Sequence, residues 1–379
     1  MPKKENPKAL VTGAHGHTGT FLVKRLIELG YKIIATDLNS VERERLMTKE
    51  TVFRNDLKFE NIEHPNVTFI PADLTKKDSL YELWKDGQQY DVIFHPASLY
   101  DYFAPLYLLM KINVYGTRNL LEVIVEKQET NLPRFIHWST CGVYGEPEYE
   151  IKMDENGKKY KLPSDETADY DPPNWYSTSK MFQEFVVYDF YKNKKVPMTI
   201  LRPQPIAGKA QLYGAFSIFY MVYKFGMMVV PVMRPSLKQL HMPIVHVEDL
   251  VEAAIFCFEH DETIGEAYNL GSDNCTQAEF MDYLSSISDC QTVVIPIWYK
   301  TYNFAAKLMD WWFRKEILKA NKWGIRPKID GPMLEYITHE YFFSNEKLKK
   351  LGFKYKYPTA FDVTKDSVRW YIDNGWFEE

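Results

Sequence analysis

The chain has 379 residues, 45% hydrophobic and 26% charged, which excludes global disorder and fibrous classes and leaves room for one large α/β domain or two ordinary ones. Its formal net charge of −5 excludes a whole-chain electrostatic footprint for nucleic acid, so no nucleic-acid partner is expected. Aromatic content is high at 15%, and many rings must therefore be either buried or presented.

Apolar runs rich in Val, Ile and Phe recur at 9–12, 31–37, 67–73, 91–97, 134–140, 198–203 and 267–271. Amphipathic stretches separate them, clearest at 18–29, 106–127 and 175–191. Continuous rather than alternating apolar strands, each followed by a helix, predict an α/β, Rossmann-type doubly wound parallel sheet covered on both faces. Such a sheet holds its ligand outside the carboxyl ends of its strands. After Pro203 the rhythm loosens, while 244–258 returns as a short strand and a helix. This predicts a discontinuous cofactor domain, 1–207 plus 241–272, and a smaller C-terminal substrate domain, 208–240 plus 273–379.

The first strand runs into Gly13-Ala-His15-Gly16-His17-Thr18-Gly19 and then into a helix. A G-x-x-G-x-x-G turn at a helix N-terminus allows close approach of backbone N–H groups to a pyrophosphate. Asp37 closes the second strand, where a carboxylate grips ribose hydroxyls and repels a 2′-phosphate, so NAD is the expected cofactor. Arg43 and Arg45 just beyond keep NADP open. Asp73-Leu74 closes the third strand, either as an adenine contact or as the cap of the next helix. Pro96, Ala97 and Ser98 follow His95 at the fourth strand and let a cofactor lie against the backbone. His95 itself reads equally well as a packed histidine. Pro203, closing the sixth strand, joins the cofactor set.

Tyr176-Ser-Thr-Ser-Lys180 opens a helix, and a spacing of four puts Tyr176 and Lys180 on one face. A phenol titrates near about 10, and a neighbouring ammonium together with an oxidised nicotinamide should lower that value, making Tyr176 an acid–base group for a secondary alcohol. Thr140, or Ser139 one residue earlier, can supply a hydroxyl to the reacting oxygen; on a pleated strand only one of them can. Asn113 interrupts a long helix and organises the site or a bound water, unless it is a surface residue. Four cysteines at 141, 257, 275 and 290 form no C-x-x-C pair, so no metal and no disulfide framework are expected. The charged N-terminal segment holds no apolar run, so a cytoplasmic location without a secretory signal is expected.

The pieces TGAHGHTG, Asp37, ADL, HPAS, NVYGT, STCGVYG, YSTSK, LRPQPIAG and VHVEDL come in order across residues 8–272. In this the chain resembles the extended short-chain dehydrogenase/reductases, the NAD-dependent epimerase/dehydratase superfamily. The resemblance implies Tyr176 as acid–base, Lys180 as its partner, Thr140 as the substrate hydroxyl contact, and a homodimer through the helices carrying NVYGT and YSTSK. Pro205 stands where nucleotide-sugar members place an Asn, and no Arg precedes VHVED. LRPQPIAG looks more like the 3β-hydroxysteroid dehydrogenase branch. The expected activity is therefore hydride transfer between nicotinamide and a small-molecule secondary alcohol or ketone, sterol-like and apolar. A nucleotide-sugar epimerase or dehydratase is the alternative, and a non-catalytic dinucleotide sensor a third reading.

Three later segments raise further expectations. The apolar run 216–233, interrupted by Lys224, Gly226 and Pro231, reads as a helix and then a strand or loop lining the substrate cavity. Residues 146–174 read as a long charged surface flap near the site. In 298–328, eight cations face two acids among seven aromatic rings. That is either a core-packing helix with a solvated basic face or an interfacial helix making a peripheral membrane contact.

Overall fold

A computed structural model describes residues 6–39, 62–211, 215–323 and 339–377. Arg43, Arg45, Arg326 and Lys328 lie outside these residues. The chain forms two compact units. The first comprises Met1–Val143, Pro172–Arg202 and Leu250–Tyr268; the second Tyr144–Asp171, Pro203–Asp249 and Asn269–Glu379.

The seven apolar runs become the strands of one sheet: β1 Lys8–Thr12, β2 Lys32–Thr36, β3 Val67–Phe69, β4 Val92–His95, β5 Arg134–Trp138, β6 Met198–Pro203 and β7 Ala267–Leu270. Their spatial order is β3-β2-β1-β4-β5-β6-β7, and the pairings among β1 to β6 are parallel. The order reverses direction between β1 and β4, which opens a crevice at their carboxyl ends. The third strand is shorter than its apolar run: Ile70 and Ala72 still donate to Ala35 and Asp37, but 70–73 is no longer strand.

Helices cover both faces of this sheet. On one face Leu10, Ile93, Phe135 and Ile200 pack against Leu120, Leu121 and Ile124 of α2 (Gly116–Gln128) and Val187 and Phe190 of α3 (Trp175–Lys194). Each such side chain contributes about 1.5–3 kcal/mol on burial. On the other face lie α1 (His17–Glu28) and the helix Val247–Glu259, whose Phe258 meets Phe94 and Tyr31 at 6.4 and 6.3 Å. α3 starts where Asn174 Oδ1 accepts the Ser177 N–H at 2.8 Å, and it ends at Lys195 in the left-handed conformation. A π-helical turn, residues 110–115, leads into α2.

In the second unit, the run 216–233 folds as a helix (Ala215–Phe225) followed by a strand (Met227–Arg234) that pairs in parallel with Gln291–Trp298. Among the described residues no helix is long and apolar enough to cross a membrane. The charged stretch 146–174 contains regular structure. Ile151–Met153 and Lys159–Lys161 form an antiparallel hairpin, and Lys161 forms an ion pair with Glu340. Tyr149 donates to the Glu340 carbonyl at 2.8 Å, which ties this stretch further to the C-terminal segment. The basic aromatic stretch becomes α4 (Tyr299–Trp323). The helix is two-sided: Ala306 is buried and Tyr302 and Ile317 are partly buried, whereas Phe304, Leu308, Trp311 and Leu318 are exposed. Capping boxes at Thr276–Glu279 and Thr359–Asp362 start the helices Gln277–Ile287 and Ala360–Asp373.

Candidate active site

The glycine loop is built for backbone proximity. Gly13 has φ +61°, and a Cβ there would lie 2.9 Å from the Ala97 Cα, so the turn after β1 presses directly on the chain leaving β4. A Cβ on Gly19 would fall 2.1 Å from the Gly13 carbonyl oxygen, which locks the first turn of α1 against the loop. Gly16 is the N-cap of α1, and its N–H donates to Gly13. His17 and Thr18 form the first turn, where a helix offers N–H groups without intrahelical partners. The His15 ring lies 4.6 Å from Phe69.

Asp37 follows β2 with its carboxylate accepting the His15 N–H at 3.0 Å and the Leu38 N–H at 2.8 Å. It therefore faces the glycine loop. Asp73 is occupied locally. Its Oδ1 accepts from the Thr75 N–H and hydroxyl, Lys76 sits 3.1 Å away, and these bonds outweigh desolvation to hold its carboxyl below the usual range. That geometry is a local turn ahead of the short helix Lys77–Leu80, whose N-cap is Lys76. The Leu74 carbonyl accepts from Asn119 at 2.9 Å, and Leu74 packs where a Cβ on Gly116 would sit.

Behind the carboxyl ends of β1 and β4 runs a continuous buried chain of hydrogen bonds. Lys180 Nζ donates to Gln183 Oε1 at 2.5 Å, and Gln183 Nε2 donates to Thr117 Oγ1 at 2.6 Å. Thr117 Oγ1 lies 2.8 Å from His95 Nε2, and His95 Nδ1 lies 2.8 Å from Thr12 Oγ1. Burial, with Lys180 nearby, pushes the His95 imidazole down to about 3, so it is neutral. His95 is thus a structural linker and not a free acid–base group. Lys180 is 1% exposed, and burial pushes its ammonium down to about 7, with Glu184 opposing.

Asn113 is fully buried, which rules out the surface reading. Its Oδ1 accepts the Leu99 N–H at 2.7 Å, and its Nδ2 donates to the Leu99 carbonyl and to Ser179 Oγ at 3.3 and 3.0 Å. The π-turn aims this side chain inward and lets one amide tie the segment after Ser98 to the tyrosine helix. Asn113 thus ties the Leu99 backbone to Ser179 of the tyrosine helix.

Tyr176 sits under that segment. Its hydroxyl is hydrogen-bonded to Ser98, and its ring lies 5.1 Å from Tyr100 and 5.2 Å from Tyr102. Leu109 and Ala104 complete a small apolar cluster around it. Burial pushes the phenol up, with the Ser98 hydrogen bond opposing. The two hydroxyls that follow β5 differ in their partners. Ser139 donates to Glu184, which also holds Arg202 at 2.6 and 3.0 Å, all buried. Thr140 is partly exposed, and its side-chain oxygen accepts the Gly142 N–H at 3.1 Å. Gly142 in turn lies against Ser177, beside Tyr176.

Gln183, Thr117, Glu184, Tyr100 and Tyr102 were not among the residues singled out from sequence. Gln183 lies one helical turn from Lys180 and Thr117 ends NVYGT, so both carried a spacing signal. The two tyrosines carried none. Ala97, Ser98, Thr140, Tyr176 and Lys180 gather in the first unit with the glycine loop, while Pro203 belongs to the second unit.

The NAD dependent epimerase/dehydratase family matches residues 9–271. The chain belongs to this family. Anthocyanidin reductase of Arabidopsis thaliana is 26% identical over 288 residues, 73% of this chain and 79% of that protein. The trifunctional UDP-glucose 4,6-dehydratase/UDP-4-keto-6-deoxy-D-glucose 3,5-epimerase/UDP-4-keto-L-rhamnose-reductase of the same plant is 25% identical over 381 residues. That match takes in 96% of this chain but 47% of the trifunctional protein, so the chain spans about half of it. Among solved structures, the UDP-glucose 4-epimerase of Thermus thermophilus in complex with NAD aligns with a TM-score of 0.64 at 18% identity, covering 96% and 99% of the two chains. This epimerase/dehydratase is an enzyme of the extended short-chain type, in a family that is NAD-dependent. The close Gly13–Ala97 approach and the Asp37 carboxylate at the loop fit that cofactor.

Proposed function

We propose that this epimerase/dehydratase transfers a hydride between NAD and a secondary alcohol or ketone of an apolar, sterol-like substrate. The observation that carries the reading is the setting of Tyr176, a buried phenol bonded to Ser98, walled by two further tyrosine rings, on one helix with a buried Lys180. Aromatic walls favour flat apolar rings beside the reacting carbon. Asp37 would hold the adenosine ribose, and the turn 13–19 with the first turn of α1 would hold the pyrophosphate. The nicotinamide, when bound, takes or gives the hydride.

Tyr176 handles the proton. Burial keeps its phenol protonated in the resting site, ready to donate to a carbonyl oxygen in the reducing direction; in the oxidising direction the same oxygen takes the alcohol proton. The Thr140 hydroxyl holds the reacting oxygen, and Lys180 supports the developing phenolate. Asn113 keeps the Ser98–Tyr102 segment seated on the tyrosine helix.

A second reading, a nucleotide-sugar epimerase or dehydratase, draws support from the match of 96% of the chain to the trifunctional plant enzyme. The two readings separate on net redox. Incubation with NAD and a panel of sterols or UDP-sugars, followed by NADH absorbance, should show NADH accumulating with an apolar alcohol. An epimerase accumulates none. Tyr176→Phe should lower kcat about 10²–10⁴-fold with NAD binding retained. Undiminished turnover would remove Tyr176 from the chemistry. To the same reading belong the steroid-dehydrogenase branch, a cytoplasmic homodimer, and a peripheral membrane contact in 298–328.

A further inference from the structure

The outward face of α4 belongs to no core. Phe304, Leu308, Trp311 and Leu318 recur at i, i+4, i+7 and i+14, one stripe of the helix, and are 72%, 56%, 54% and 60% exposed. Ala306, close to the opposite side, is buried, and Tyr302 and Ile317 on that side are partly buried. At about 100° per residue, all six cations of the helix, Lys300, Lys307, Arg314, Lys315, Lys319 and Lys322, fall within about 80° of the stripe. Its two acids, Asp310 and Glu316, lie about 120° from Phe304, toward the sides, where they pair with Arg314 and Lys319. The helix carries +4 in a chain of net −5. Lys315 Nζ stands 3.7 Å over the Trp311 ring, its stem lying along the apolar stripe.

We propose that this face of α4 docks on an anionic lipid bilayer, with Phe304, Leu308, Trp311 and Leu318 entering the interface and the cations interleaved with and beside them reaching lipid phosphates and carboxylates. Rings and leucines share this face with the cations: Lys300, Lys315 and Lys322 are interleaved with the stripe and Lys307, Arg314 and Lys319 border it, a mixed apolar and cationic surface that complements an anionic interface. A second copy of the same face fits worse, because Lys307, Lys315 and Lys322 would meet their own counterparts. A bilayer surface would also bring a lipid-soluble substrate to the protein, but the docking holds whichever substrate the active site takes.

The test is co-flotation of the full chain with phosphatidylcholine vesicles with and without phosphatidylserine. Retention should be at least about tenfold greater on the anionic vesicles, fall with added salt, and shift tryptophan emission to the blue. Lys307→Glu/Lys315→Glu should abolish the anionic preference, and Leu308→Gln/Leu318→Gln should weaken binding to both vesicle types. NAD binding, housed in the first unit, should be unchanged in both variants and reports that they fold. Equal retention on the two vesicle types, no retention on either, or undiminished binding by the charge-reversed variant would overturn the proposal. So would sedimentation showing that these variants dissociate a dimer while vesicle binding persists, which would assign the face to a second copy.

Discussion

Lys180 is a cation held where water does not reach, and its neighbours define how it titrates. Its ordinary value of 10.5 is pushed down to about 7 by burial. Between about pH 7 and 10.5 the unfolded chain therefore binds the proton that the folded chain has released, so folding stability from this group rises with pH across that window. Below pH 7 the penalty of a buried ammonium is fully present. Lys180→Met should accordingly gain melting temperature relative to the parent most at pH 7 and least toward pH 10; a difference independent of pH would refute the buried-ammonium account. Asp37 supplies a second single-residue test. Its carboxylate accepts the His15 N–H, so Asp37→Ala should both loosen the phosphate loop and relax the preference for NAD over NADP. A loss of about 1.5–3 kcal/mol for a charged hydrogen bond predicts roughly a tenfold to hundredfold weaker NAD affinity by titration calorimetry. At this scale the sequence named Tyr176, Lys180 and the glycines from spacing. The tyrosines at 100 and 102 were invisible because nothing in SLYDYF specifies a ring placed over another helix.

Between elements, a fully buried polar joint links Glu184 on α3 with Arg202 on β6 and Ser139 after β5. An ion pair this buried is costly to form, and removing one partner strands the other charge without water. Glu184→Gln or Arg202→Met should cost about 3–5 kcal/mol in denaturant unfolding, whereas replacing both with apolar residues should recover most of it. If the single variants unfold at the parental midpoint, the joint carries no net weight. This joint also explains why Thr140 rather than Ser139 stays available at the sheet end, a choice that strand alternation could frame but not make. The strands themselves were legible, because four or five consecutive buried residues admit no other placement. The hairpin at 151–161 was not, since its strands are short, exposed and charged, without the periodic apolar residues that betray a half-buried strand.

For the whole molecule, the helices of the first unit leave Tyr107, Tyr115, Phe182 and Phe185 exposed. Tyr107 and Tyr115 precede α2 and the other two lie on α3, the helices through which the resemblance implies a dimer. Solvent-facing rings on adjacent helices suit a symmetric, isologous contact. Sedimentation velocity should give a dimer for the parent and a monomer for Tyr115→Arg/Phe185→Arg, with NAD binding intact; a parent that sediments as a monomer would sink the expectation. The aromatic excess visible in the composition thus divides by exposure. Some rings are core, some wall the phenol, and some stand on surfaces that ask for an occupant.

The amino-acid order alone determined the strand–helix rhythm, the glycine turn and the Tyr176–Lys180 helix, because each rests on local periodicity or on spacing within a few residues. Tertiary structure alone decided what those groups touch. It placed His95 as a neutral linker, drew Asn113 inward through a π-turn, gave Ser139 to an ion pair and left Thr140 open. It also turned the apolar stripe of α4 away from any core. Burial and partner choice depend on residues far apart in the chain, and no local pattern encodes them.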